Sequence, residues 1–285
     1  MSIVCLDLGG TKLAIGRVTG AQVDGVTRLA VPQQADYDTL LQFLQQALES
    51  VLCESDTGIA LGVPGTVSLQ SGQLLEVLNL PALNGRALAL ALTARFRLPV
   101  SINNDANLFA LGESVLGGGK DLLGITLGTG VGAGVVFDGR LYSGKHCSAG
   151  EIGSFQYLDG IMEHYCSGQF FWRAGLRGEE AYALALAGDA AALALFERFG
   201  EHLGELMVQA LLAYDPADIV LGGSVSQAFE LFAPAMWRTL TARVPAALLD
   251  GLCIRQSTDP NAALIGAAHW FLQHMGTNTH EMAVA

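Results

Sequence analysis

Apolar residues come first as short runs and later at helical spacing, and the switch between these two periods predicts most elements of the chain. Between Ser2 and Pro32, three segments rich in Val, Ile and Leu are divided by Gly9-Gly10 and by Thr19 to Gly25, which predicts three consecutive antiparallel strands. From Tyr37 to Leu52 the apolar positions Leu40, Leu41, Leu44, Ala47, Leu48 and Val51 recur at helical period, with Asp36 or Asp38 as N-cap. Gly58 to Val63 reads as a buried strand ending at Pro64-Gly65, Gly85 to Phe96 as a helix, Val100 to Asn103 as a strand and Ala106 to Leu116 as a helix. The first half therefore runs β-β-β-α-β-α-β-α.

The second half restarts the pattern. Leu122 to Leu127, Gly132 to Phe137 and Arg140 to Tyr142 read as strands, with Asp138-Gly139 as a hairpin signal. Setting Gly9 against Gly128 aligns Leu8-Gly9-Gly10-Thr11 with Leu127-Gly128-Thr129-Gly130 and Ala14 with Ala133, which points to duplicated halves. The Gly117-Gly118-Gly119 run separates them, giving expected domains 1–117 and 118–285. Beyond it, Ala181 to Tyr214 is largely helical, Asp218 to Leu221 is a strand ending in Gly222-Gly223-Ser224, and Phe229 to Val244 is helical. Leu264 to Met275 forms a last helix able to pack back on the N-terminal domain. Residues 276–285 lack apolar periodicity and are expected to fray.

Composition removes several function classes. The chain is 51% hydrophobic, and its mean hydropathy of +0.39 raises the question of a membrane span. The longest uncharged run, Leu122 to Phe137, is shorter than the roughly 18 to 20 residues a span requires and is broken by glycines, so it reads as strand, turn and strand. Asp7 interrupts the first apolar run and no basic segment precedes it, so a cytoplasmic protein without a secretory signal is expected. Five cysteines, Cys5, Cys53, Cys147, Cys166 and Cys253, stand singly, which argues for free thiols over a disulfide framework or a zinc knuckle. A formal net charge of −12 opposes attraction to nucleic acid or an anionic membrane surface.

Anion binding then has to be local, and three glycine turns could provide it. Asp7-Leu8-Gly9-Gly10-Thr11-Lys12 places a carboxylate at a strand end, followed by a turn whose backbone N–H groups can cradle phosphoryl oxygens. Asp7 would orient Mg²⁺ directly or through its water shell. Gly128-Thr129-Gly130-Val131-Gly132 has the same character and could close on the same phosphate chain. Gly222-Gly223-Ser224, after a buried strand, leaves room for an adenine ring. Taken singly, each is also an ordinary glycine turn.

Asp7 to Lys12, Asn104-Asp105-Ala106-Asn107, Leu127 to Gly134, Gly150-Glu151-Ile152-Gly153 and Glu163 with Ser167-Gly168 occur in the order found in the ROK family, which the chain resembles over nearly its whole length. The resemblance implies the two-domain actin-like, ribonuclease H-like α/β fold and a kinase, a transferase that uses ATP and Mg²⁺ on a sugar. The wording around Pro81 to Glu113 and Leu127 to Glu151 looks most like N-acetylglucosamine kinases. Carried over by motif, Asp105 is the general base that accepts the proton of a hexose 6-hydroxyl as it meets the γ-phosphate. Gly65, Asn79, Asn104, Glu151 and Glu163 then line the sugar pocket, with Ser154 where a histidine is usual. The nucleotide residues are Asp7, Gly9, Gly10, Thr11, Lys12, Gly128, Thr129, Gly130, Gly222, Gly223 and Ser224.

The chain departs from the family in lacking its cysteine-rich zinc loop. Ser154 and the isolated Cys166 cannot complete four ligands, so no zinc is expected, and His146 and His164 read as ordinary polar residues. The expected sugar is N-acetylglucosamine, with glucose, fructose and N-acetylmannosamine as alternatives. A homodimer is compatible with the resemblance. A sugar-sensing repressor and an inactive nucleotide-binding relative are the competing classes. Asp7 lies too near the first residue for a helix-turn-helix to precede it, and the Asn104-Asp105 pair argues for catalysis.

Overall fold

The structure, a computed structural model, describes residues 1–77 and 79–281, with 275–281 described by their backbone alone. The elements run β1 (Ser2–Leu8), β2 (Lys12–Thr19), β3 (Gln22–Ala30), α1 (Tyr37–Glu49), β4 (Asp56–Val63), β5 (Thr66–Ser68), β6 (Gln73–Glu76), α2 (Leu88–Phe96), β7 (Val100–Asn104) and α3 (Asp105–Gly117). The restart follows as β8 (Leu122–Leu127), β9 (Val131–Phe137) and β10 (Arg140–Leu141). Then come β11 (Gln156–Tyr157), β12 (Gly160–Ile161), α4 (Met162–Cys166), α5 (Gly168–Arg173), α6 (Gly178–Leu186), α7 (Ala190–Tyr214), β13 (Asp218–Gly222), α8 (Phe229–Arg243), β14 (Cys253–Gln256) and α9 (Ala262–Glu281).

Two five-stranded sheets repeat one topology. The first has the order β3-β2-β1-β4-β7 and the second β10-β9-β8-β13-β14. In the first, β1 pairs antiparallel with β2 and parallel with β4, which runs parallel with β7. In the second, β8, β13 and β14 run parallel. The duplicated β-β-β-α-β-α-β-α plan is therefore present twice, and the fold is the actin-like α/β fold. Two β-hairpins, β5–β6 and β11–β12, are insertions that the apolar pattern does not announce, because strands of two to four residues are too short to show a period.

The chain forms two compact units, and neither is a single stretch of sequence. The first comprises residues 1–118, 136–149 and the described residues from Asp259 onward; the second comprises 119–135 and 150–258. The end of β9, β10 and α9 therefore group with residues 1–118. The last residues of β9, Phe137 and Val136, pair with Arg140 and Leu141, and α9 lies along α3, β1 and β4, so packing regroups what the chain order separates. A side chain on Gly58 of β4 would overlap the Phe271 ring of α9, which is how this helix seats on the sheet.

Other boundaries shift for local reasons. Asp36, not Asp38, caps α1 by accepting the Thr39 N–H at 2.9 Å. Helix α2 begins at Leu88, later than Gly85, because Gly85 has φ +72° and its N–H bonds to Leu74 O. Of the residues expected to fray, 276–281 continue α9, since helical backbone bonds need no apolar period; 282–285 lie outside the described residues. No helix among the described residues is long and apolar enough to cross a membrane.

Candidate active site

In the first unit the predicted residues collect at the carboxyl ends of three parallel strands, the usual ligand edge of such a sheet. Asp7 ends β1 beside Gly62 of β4, Gly65 follows β4, and Asn104-Asp105 ends β7 beside Val63. A Cβ on Gly62 would stand 3.6 Å from Asp7 Oδ1, so the bare strand makes space for that carboxyl. Asp7 is partly exposed as a residue, yet its carboxyl sits deep at the strand end. Burial pushes its pKa up to about 6, with the Arg28 charge pulling it down.

The first glycine turn is closed by Gly9 N–H donating to Lys12 O at 2.8 Å. Its outer carbonyls are tied down: Gln33 Nε2 donates to Gly10 O at 3.0 Å and Val31 N–H to Thr11 O at 3.0 Å. Gly10 packs against Asn79, where an added Cβ would come within 2.8 Å of the Asn79 Cβ. The turn thus touches a residue predicted for the sugar. Thr11 and Lys12 are exposed.

Helix α3 is capped by Asn104, whose Oδ1 accepts the Asn107 N–H at 3.0 Å while its Nδ2 donates to Gly65 O at 3.1 Å. Gly65 has φ +100° and a Cβ there would overlap Glu76 O, so it contributes a carbonyl at a place where only glycine fits. Asp105 is the first helical residue, and its Oδ1 accepts the Ala106 N–H at 2.8 Å. Beneath them lies a buried polar cluster that sequence reasoning missed. Asn103 Oδ1 accepts from Asn104 N–H at 2.7 Å and from Asn107 Nδ2 at 3.1 Å, and Asn103 Nδ2 donates to Ser143 Oγ at 3.3 Å. The spacing of Asn103 and Asn107, one helical turn apart across the motif, was the available signal.

In the second unit, Gly128-Thr129-Gly130 follows β8 and Gly222-Gly223-Ser224 follows β13, with Gly222 in register with Thr126. Gly223 has φ +84° and a Cβ there would overlap the Leu127 carbonyl, so the two turns pack directly on one another. Gly128 differs. A Cβ there would meet nothing within 4 Å.

The Gly150 to Ser154 segment lies on β9. A Cβ on Gly150 would overlap Ala133 O, and one on Gly153 would come within 2.7 Å of Val131 O, so these glycines seat the exposed Glu151 and Ser154 beside the second turn. Glu163 of α4 reaches the same place: its Oε2 accepts the Val131 N–H at 3.0 Å and its Oε1 accepts from Gln169 Nε2 at 2.9 Å. Predicted as a sugar contact, Glu163 is also part of the turn's own scaffold. Gln169 was not foreseen; it directly follows the Ser167-Gly168 motif.

Where the zinc loop would be, the β11–β12 hairpin is held by aromatic contacts instead. Tyr157 Oη lies 3.0 Å from His202 Nδ1 and its ring meets that of Tyr165 edge-on at 5.2 Å. Cys166 is buried and its thiol is pushed well above its usual range by desolvation. Among the described residues no three His, Cys, Asp or Glu side chains gather as a metal site would require.

The chain is 33% identical over 278 residues to an N-acetyl-D-glucosamine kinase of Photobacterium profundum, covering 86% of this chain and 89% of that one. It is 32% identical to the N-acetylgalactosamine kinase AgaK of a Shewanella species, covering 88% and 89%. The crystal structure of a ROK hexokinase from Thermus thermophilus superposes with a TM-score of 0.78 at 27% identity, over 94% of this chain and 97% of that one. The ROK family model matches residues 3–274, and with the motif residues gathered at the carboxyl edges of both sheets, this chain belongs to the ROK family.

Proposed function

We propose that this chain is an ATP-dependent sugar kinase that transfers the γ-phosphoryl group to the 6-hydroxyl of an N-acetylhexosamine, with N-acetylglucosamine as the sugar and Asp105 as the general base. The observation that carries this reading is the division of labour at the start of α3. Asn104 caps the helix, so capping does not call on Asp105, which stands at the ligand edge of the sheet as the first residue of α3 with its Oδ1 accepting the Ala106 N–H. The named activities of the relatives support the class: both act on N-acetylhexosamines, and these two sugars differ only in configuration at C4.

Gly65, Asn79, Asn104, Glu151, Ser154 and Glu163 are assigned to the sugar, and the turns at Gly9-Gly10, Gly128 to Gly130 and Gly222 to Ser224 to the nucleotide. Mg²⁺ suits the donor set, because the desolvated carboxyl of Asp7 is a single oxygen ligand of the kind such an ion binds alongside its own waters. Bound there, the cation would offset phosphate charge. Asp105 takes up the hydroxyl proton, and the glycine turns orient the phosphates through their N–H groups. Zinc has no part in this reading, since Ser154 and the isolated Cys166 do not make up the four ligands a structural zinc takes. The supply of ATP places the reaction in the cytoplasm.

ADP release measured over a panel of N-acetylglucosamine, N-acetylgalactosamine, N-acetylmannosamine, glucose and fructose tests the reading. The highest kcat/KM is expected for N-acetylglucosamine. Equal turnover on all five, or none on any, overturns it.

A further inference from the structure

We infer that the α4–α5 junction, through Gln169 with Ser167 and Gly168, is the device that aims the Gly128–Gly130 turn, making Gln169 a positioning residue for the nucleotide phosphates. This rests on the proposed reading of that turn as a phosphate cradle.

A trans peptide is planar, so its N–H points opposite to its C=O. Gly128 O accepts the Gly168 N–H at 2.8 Å, and Thr129 O accepts from Ser167 Oγ at 3.2 Å and Gln169 Nε2 at 3.3 Å. Two successive carbonyls therefore face the junction, and the two N–H groups that share their peptides, those of Thr129 and Gly130, face the other way. Among the described residues neither N–H has a hydrogen-bond partner. Adjacent N–H groups aimed together form a concave site for an oxyanion. The next N–H, that of Val131, is withdrawn from this set by Glu163 Oε2.

Gln169 does two things at once. One of its Nε2 hydrogens holds Thr129 O and the other holds Glu163 Oε1, so one side chain ties the turn's carbonyl to the carboxylate that accepts the Val131 N–H. Its own backbone N–H donates to Ser167 Oγ at 3.1 Å, which orients that hydroxyl toward Thr129 O and Glu163 O. A Cβ on Gly130 would overlap Glu163 Oε2, so a larger residue there would push that carboxylate from its place against the turn. At 128 the chain's own packing makes no such demand, since a Cβ there would meet nothing within 4 Å.

Gln169→Met keeps the length of the side chain and removes both donors. The full-length variant is expected to bind ADP with Mg²⁺ about ten-fold more weakly and to raise the KM for ATP by a similar factor, the usual scale for losing a hydrogen bond to a charged group. Its melting temperature and its kcat at saturating ATP should stay near those of the parent, a combination a merely structural defect would not produce. Gly128→Val, which adds bulk at the turn where the protein's own packing leaves room, tests the cradle itself. If Gly128→Val loses ADP affinity and Gln169→Met keeps it, the positioning role is wrong. If Gly128→Val also keeps it, the phosphate reading fails and the inference falls with it.

Discussion

Gly112 of α3 and Gly266 of α9 interlock: a Cβ on Gly112 would overlap Ala262 O, and one on Gly266 would overlap Leu108 O. The two helices cross backbone to backbone, and α3 is the helix that carries Asp105 at its first residue. In the second unit α7 and α8 meet in the same manner at Gly200, where a Cβ would overlap Phe232 O.

Gly112→Ala and Gly266→Ala are each expected to lower unfolding stability by about 2 kcal/mol or more, because overpacking against backbone outweighs the helix propensity gained. Urea titration measures this. Gly128→Ala, with nothing within 4 Å, should leave stability unchanged, and equal losses at all three positions would show that packing is not the cause.

Asp105→Asn is expected to lower kcat by roughly 10²-fold or more, the scale of a lost general base, with the melting temperature nearly unchanged. Asn104→Ala should behave in the opposite sense on stability, costing about 1 kcal/mol as the cap of α3 is lost. Thermal melts and steady-state rates on both variants check the division. Near-normal turnover in Asp105→Asn would falsify the assignment of the base.

Asp7 is expected to make activity and stability respond to pH in opposite directions. Its folded pKa of about 6 lies above the ordinary carboxyl value. The protonated form therefore favours folding, a contribution fully present below about pH 4 and lost as pH rises through about 6. Asp7→Asn should be more stable than the parent at pH 8 and no more stable at pH 4. On the proposal that the Asp7 carboxylate holds Mg²⁺, activity is expected to fall as pH drops through about 6, and added Mg²⁺ should move this limb to lower pH by competing with the proton. A limb that ignores Mg²⁺ concentration would detach Asp7 from the metal.

Asp56 anchors the start of β4 to Arg17 of β2. Burial pushes its carboxyl pKa up, but hydrogen bonds from Arg17, Ser2 and the Cys53 N–H outweigh it and hold the value at about 2. Its stabilising contribution is present above about pH 4 and lost as pH falls through about 2. Asp56→Asn is expected to cost about 2 kcal/mol at pH 7, with the gap to the parent narrowing as the acid limit is approached. A gap that does not depend on pH would assign the loss to packing.

The amino-acid sequence by itself determined the opening three-stranded meander, α1, both phosphate-turn candidates and the duplication, because each has a signal within a few residues: an apolar period, a cap or a glycine pair. It also placed Asn104-Asp105 at a strand-to-helix junction, since apolar residues flank the motif on both sides. Only the tertiary structure decided the rest. The β14 strand, Cys253–Gln256, is legible only as a partner of β13, and the α3–α9 crossing joins Gly112 to Gly266, more than a hundred residues away. The choice of Asn104 over Asp105 as cap, and the use of Gln169 to hold both Thr129 O and Glu163, depend on where side-chain donors and acceptors fall once the backbone is in place. Periodicity records which face of an element is buried, whereas hydrogen-bond partners and backbone close approaches are properties of pairs, and one element's pattern does not name its partner.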